Sequence, residues 1–189
     1  IQAELWPDLD EEAADRDFKV ALNALTKTLE PERKARSSSF YVVRHGTAYQ
    51  LNPDSGYQLD AELFAQYFEE GLNCKEEDQA LKLLETGFSL YRGDYLSDNL
   101  YEDWAIEERE RLQVLFIRGS ERLARIYLRQ GKYEQAIKTA EKIIEKDICW
   151  EEAYRIIMLA YYKQMNRTMA LRWFEKCKQN LFDELGVEP

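Results

Sequence analysis

Apolar positions recur along this chain with two different periods, and the change of period marks its elements. Over residues 11–30, at about 100° per residue, Ala14, Phe18, Leu22, Leu25 and Leu29 gather on one side of a helical wheel. Arg16, Lys19, Val20, Asn23 and Lys27 gather on the other. The spacing predicts a helix with one face for a core and one face for something polar. Pro7, Asp8 and Asp10 stop a short segment, residues 1–6, and open a capped turn before that helix. Pro31 ends it, and residues 32–39 form a polar loop. Phe40-Tyr41-Val42-Val43 and Thr47-Ala48-Tyr49-Gln50-Leu51 are β-branched and aromatic runs around Arg44-His45-Gly46, which predicts a β-hairpin with glycine at its turn.

From Asp60 onward the period is helical almost throughout. Asp60 is placed as the cap of a helix over residues 61–71. A second helix, residues 76–91, carries Ala80, Leu83, Leu84 and Phe88 on one face, and Arg92-Gly93-Asp94 breaks it. A long helix over residues 102–130 ends at Gly131. Sliding the chain by 34 residues then aligns Tyr127 with Tyr161, Gln130 with Gln164, Ala136 with Ala170 and Ile137 with Leu171. Lys138, Glu141 and Lys142 likewise align with Arg172, Glu175 and Lys176. That period belongs to the tetratricopeptide repeat, in which small residues let paired helices approach and large ones fill the space between pairs. Tyr127, Ala136, Tyr161 and Ala170 are accordingly expected between helices. Met165 stands where Gly131 would repeat, so the second copy is degenerate. Two unrelated helical hairpins remain the alternative. The expected fold class is mainly α, with one hairpin and at least six helices.

Charge sharpens the division. The net charge is −10, which by itself speaks against a generic nucleic-acid binder. Residues 18–51, however, hold six basic side chains against two acidic ones, whereas residues 53–78 hold eight acidic against Lys75 alone. A boundary is therefore placed between Asn52 and Asp60, giving units 1–52 and 60–189. In the first unit, a helix with a basic, amide-bearing outer face followed by a hairpin is the order of a winged helix. A polar stripe on a helix is also, more simply, a solvated face, and Asp15 and Asp17 beside it repel phosphate.

Little else in the chain suggests chemistry. Cys74, Cys149 and Cys177 are far apart, and with a single histidine they make no metal-binding spacing; they are expected as small core or surface residues in a reducing compartment. His45 has no second histidine with which to form an acid–base pair. Phosphate loops of the GxxxxGK[ST] kind, GxGxxG, GxSxG and HExxH are all missing from the sequence. No catalytic residue, metal or cofactor is expected. No run approaches the about 20 apolar residues of a membrane-spanning helix, and residues 1–10 lack the pattern of a signal peptide, so a cytoplasmic protein without membrane contact is expected.

Three segments carry a family resemblance. Ser89-Leu90-Tyr91-Arg92-Gly93-Asp94-Tyr95-Leu96, Trp104-Ala105-Ile106-Glu107-Glu108-Arg109-Glu110-Arg111-Leu112 and Asp183-Glu184-Leu185-Gly186-Val187-Glu188-Pro189 resemble, in order and spacing, the signatures of the bacterial transcriptional activator domain. The resemblance covers roughly residues 60–189. Upstream, Glu4-Leu5-Trp6-Pro7-Asp8, Leu22-Asn23-Ala24-Leu25 and Tyr49-Gln50-Leu51 are similar to the second half of the OmpR-type winged helix found in antibiotic regulatory proteins and MalT-like regulators. On that alignment the chain begins inside the winged helix's second helix.

The resemblance implies a fragment of a bacterial transcription regulator. Its winged helix would read double-stranded DNA while the TPR-like helices regulate, self-associate or contact a protein partner. It implies DNA-binding roles for Arg16, Lys19, Asn23 and Lys27 on the outer face of the recognition helix, and for Arg44 and His45 at the wing tip. Asp15, Asp17, Ala24 and Thr26 depart from the basic or amide residues common in the family helix. A protein-interaction scaffold without DNA binding is the alternative.

Overall fold

In the computed structural model, which describes residues 2–34, 37–99 and 102–189, the chain divides into two compact units, Ile1–Gln58 and Leu59–Pro189. Ile1 of the predicted first segment, and Ala35 and Arg36 of the predicted polar loop, lie outside the described residues.

The first unit contains helices α1 (Gln2–Leu5) and α2 (Glu11–Leu29) and an antiparallel hairpin of β1 (Val42–His45) and β2 (Ala48–Leu51). Helix α2 starts where the Asp10 carboxylate accepts the Ala13 N–H at 2.8 Å, satisfying a backbone donor that would otherwise have no partner. The hairpin register pairs Val42 with Leu51, Arg44 with Tyr49 and His45 with Ala48. Arg44 and His45 thus belong to β1 rather than to the turn, which is Gly46-Thr47. A two-residue hairpin turn needs positive φ immediately after the first strand, and Gly46 supplies it at +64°. Phe40 and Tyr41 fall outside the strand because their N–H groups donate to the Glu30 carboxylate, at 2.7 and 3.0 Å.

The expected core face of α2 is only half realised. Ala14 is buried and Phe18 half-buried, with the Phe18 ring meeting Tyr49 of β2 edge-on at 5.2 Å. Leu25 and Leu29 are exposed. Leu5, Trp6, Leu22, Leu25, Val42 and Leu51 consequently line an open apolar hollow of about 370 Å³.

Among the described residues the regular elements of the second unit are all helical, with α3 (Asp60–Asn73), α4 (Glu77–Leu90), α5 (Asp103–Arg129), α6 (Tyr133–Lys146), α7 (Glu151–Lys163) and α8 (Arg167–Leu185). With α1 and α2 this makes eight α-helices among the described residues, and the fold is mainly α with one hairpin. Asp60 is the first residue of α3 rather than its cap; its carboxylate accepts the neighbouring Ala61 N–H at 2.9 Å. On α4 the covered positions are Ala80, Leu81, Leu84 and Gly87, so Ala80 and Leu84 lie where the period predicts, while Leu83 and Phe88 are half-buried at the edge of that stripe, Phe88 packed against the core.

Consecutive helices pack as pairs, and the odd-numbered helices also touch in succession, α3 against α5 and α5 against α7. This is the packing of stacked helical repeats, in which each pair hides the apolar face of the one before. The 34-residue offset has a direct counterpart in the turns. After α5, Gly131 sits at φ +72° and the Lys132 N–H donates to Tyr127 O at 2.9 Å. After α7, Met165 sits at φ +61° and the Asn166 N–H donates to Tyr161 O at 2.9 Å. The turn is kept although its glycine is not. Ala136 is fully buried between helices, while Tyr127, Tyr161 and Ala170 are half-buried at the edge of the stack.

Helices α3, α4 and α5 meet at one ring. Phe68 of α3 is completely buried, and a Cβ added at Gly87 or Gly119 would lie 2.3 or 2.0 Å from it. Both positions are glycine because the ring occupies the space of a side chain.

Candidate nucleic-acid interface

The outer face of α2 presents Arg16, Lys19, Val20, Asn23 and Lys27, all exposed. Their spacing of three and four residues sets them on one stripe of the helix, opposite Ala14 and Phe18. Two of its cations are already engaged. Lys19 donates to Asp15 at 2.5 Å, and Arg16 pairs with Asp17 at 3.3 Å. The Lys19 hydrogen bond, aided by that ammonium charge, holds the Asp15 carboxyl below its ordinary range. Asn23 and Lys27 engage no side-chain partner among the described residues.

Two side chains shape the hairpin side. Arg44 donates from Nε to Gly46 O at 2.7 Å, and its guanidinium lies over the Tyr49 ring at 5.5 Å from the centroid. Tyr49 meets both Phe18 and Arg44, so it sets where the hairpin lies against the helix. Lys19 and Arg44 line one hollow together with Asp15 and Tyr49. The structure therefore brings helix and hairpin cations to a shared concavity. His45 is exposed at the end of β1, and Asn23 and Lys27 lie further along α2, outside that hollow.

The loop between helix and hairpin is tied down by Glu30. Its carboxylate accepts from Ser39 Oγ at 2.5 Å as well as from the Phe40 and Tyr41 amides, and Arg33 lies 3.6 Å away. The Ser39 hydroxyl first, then the Tyr41 amide, hold its carboxyl below the ordinary pKa range against the effect of burial. Thr26, one of the departures noted in the sequence, is buried and donates to Leu22 O at 2.9 Å, so its role is structural.

The signature segments of the second unit turn out to be joints between helices. Tyr91 donates to Asp94 at 2.8 Å, Lys146 of α6 reaches the same carboxylate at 2.8 Å, and the Tyr91 ring stacks on Phe116 at 4.1 Å. Burial pushes the Tyr91 hydroxyl well above its ordinary value and Asp94 reinforces this, so it remains a donor. Burial also acts to raise Asp94, but the hydrogen bonds from Lys146 and Tyr91 outweigh it and hold the carboxyl low. Arg109 donates to Tyr95 O at 2.9 Å, and Arg111 bridges Glu108 and Glu69 at 2.8 and 3.3 Å, joining α5 to α3. Gly186 at φ +69° closes α8 by donating its N–H to Phe182 O.

Residues 59–189 match the bacterial transcriptional activator domain family. The chain belongs to that family. Among its curated relatives is the transcriptional regulator RedD of Streptomyces coelicolor, 27% identical over 154 residues that cover 78% of this chain and 42% of RedD. Another is the transcriptional regulatory protein MoaR1 of Mycobacterium bovis, 24% identical over 156 residues, 78% of this chain and 49% of MoaR1. The chain spans less than half the length of either. Both alignments cover a larger share of the chain than residues 59–189 occupy, so they continue from the activator domain into the first unit. No helix among the described residues is long and apolar enough to cross a membrane.

Sequence reasoning missed two residues that position this surface, Glu30 and Tyr49, and set Asp15 beside the stripe as a charge that repels phosphate rather than as the partner of Lys19. Tyr49 had a legible signal, its place directly across the hairpin from Arg44. Glu30 had none, since its partners lie nine to eleven residues away across a loop.

Proposed function

We propose that this chain is part of a transcription regulator, in which the first unit is the DNA-reading half of a winged helix and the activator domain makes protein contacts. The observation that carries the DNA half is the order and exposure of α2 and the hairpin: an amide-bearing, cationic helix face followed by a strand pair whose arginine is turned to the same hollow as Lys19. A helix of this kind enters the major groove while the hairpin touches the neighbouring backbone. The continuation of the alignments with two transcription regulators into the first unit supports the same reading. The pairs Lys19–Asp15 and Arg16–Asp17 are exposed to water and therefore weak, so phosphate can displace the carboxylates.

Asn23 carries the base-reading role. It is exposed on the helix stripe with its amide unengaged, and an amide matches the paired donor and acceptor of adenine in the major groove. Lys19, Arg16 and Lys27 offer charge to phosphate, as does Arg44 from the hairpin with His45 beside it. The test is fluorescence anisotropy of the full-length gene product on duplex DNA selected from a random pool. Asn23→Ala is expected to cost about 1–3 kcal/mol on the selected site and little on random DNA. Arg44→Ala is expected to weaken both alike and to lower the salt slope by about one. If neither substitution changes binding or its salt dependence, α2 does not read DNA.

The paired state of Lys19 and Arg16 favours one second reading, a scaffold whose first unit binds protein instead. Retention of a partner protein with no affinity for any duplex would establish it.

A further inference from the structure

The last helix carries an apolar face that the stack leaves uncovered. On α8, Cys177 and Leu181 are 2% and 1% exposed, yet Leu171, Phe174, Phe182 and Leu185 are 63%, 42%, 62% and 60% exposed. At about 100° per residue these four side chains, with Lys178, lie within one stripe next to the buried one. The repeat shows what is missing. Ile137 of α6, which aligns with Leu171, is 8% exposed, because α6 has α7 packed against it.

We propose that a second copy of this chain covers that face, with two α8 helices packed antiparallel about a twofold axis at Lys178. The stripe is palindromic: Leu171, Phe174, Lys178, Phe182 and Leu185 are separated by three, four, four and three residues. An antiparallel overlay centred on Lys178 sets Leu171 against Leu185 and Phe174 against Phe182 of the other copy, twice over. A twofold contact requires a patch that is complementary to itself, and this one is. The charges agree in sum: Arg167, Arg172 and Lys176 outnumber Glu175 in the first half of α8, and Asp183, Glu184 and Glu188 mark its end and tail, so the long-range field favours the antiparallel sense. Lys178, which would meet itself at the axis, is ion-paired to Glu188 at 3.4 Å, which reduces that repulsion.

This deepens the protein-contact half of the proposed function and is independent of the DNA half, which the anisotropy assay tests separately. One helix face is a small interface, so a dissociation constant on the order of 10 µM is expected. Sedimentation equilibrium of the chain from about 1 to 100 µM should show a reversible monomer–dimer equilibrium. Phe182→Glu should raise the dissociation constant at least about tenfold, with the circular dichroism unchanged since the side chain is exposed. Lys178→Cys should form an interchain disulfide under mild oxidation at least about tenfold faster than Lys176→Cys, whose side chain lies away from the stripe over Trp173. A chain that stays monomeric throughout, a dimer indifferent to Phe182→Glu, or equal cross-linking of the two cysteines would each overturn the proposal. Monomeric behaviour with capture of a different helical protein would assign the face to that protein instead.

Discussion

Two residues in the activator domain show how backbone and packing constraints act one position at a time. Gly119 lies on α5, where a side chain ordinarily favours helix by about 1 kcal/mol over glycine. Here a Cβ would sit 2.0 Å from the buried Phe68 ring. Overpacking of that kind costs about 1–3 kcal/mol and outweighs the gain in propensity. Gly119→Ala should therefore lower the thermal midpoint, and an unchanged or raised midpoint would show that Phe68 can move aside. Met165 is the opposite case. It holds a left-handed conformation, which penalises an L side chain by about 1–2 kcal/mol, and at 87% exposure it gains almost nothing from contacts. Met165→Gly should stabilise the chain by up to about 1 kcal/mol, the extra freedom of glycine in the unfolded state removing part of the relief. Denaturant unfolding that shows a loss of stability would mean the thioether carries a contact of its own.

At the scale of elements, the joints matter more than the helices they connect. The Asp94 carboxylate joins the segment after α4 to Lys146 at the end of α6. Its folded pKa lies below the unfolded value near about 3.9, so its contribution is present above that pH and is lost as the pH falls through the lower, folded value. Asp94→Asn should reduce stability near neutrality by about 1 kcal/mol, a modest figure because the side chain is one-third exposed. It should also flatten the decline in stability below about pH 4. Urea titrations at pH 7 and pH 3 check both, and an equal loss at the two pH values would show that the carboxylate charge is irrelevant. The hairpin illustrates the same dependence on joints. Phe40 and Tyr41 have strand composition, but Glu30 accepts their amides, so the ladder begins two residues later.

For the whole molecule, the division into two units is itself testable. Residues 56–59 are exposed, and Tyr57 presents an aromatic side chain beside the boundary at Gln58. Exposed connecting backbone is where proteases cut folded proteins. Limited chymotrypsin digestion should cleave after Tyr57 and leave a stable helical fragment of the activator domain, identified by intact mass. Fragments cut first within α5 or α6 would contradict the division.

What the amino-acid order determined alone are features with short memory. The helix of residues 11–29, the hairpin, the helical second unit and the 34-residue repeat follow from periodicity and turn residues, each readable within a few turns of chain. The family signatures were legible for the same reason, as contiguous words. The tertiary structure decided matters in which distant residues compete for one place. It left Leu25 and Leu29 exposed where their period predicts a core, since a period names the apolar side of a helix and not what lies across it. It moved Arg44 and His45 from a turn into a strand, because only Gly46 tolerates the conformation the turn demands. It also exposed Leu171 while burying Ile137 at the same repeat position. Identical spacing yields opposite burial there, since burial depends on whether another helix lies across the face, and a sequence period carries no record of that neighbour.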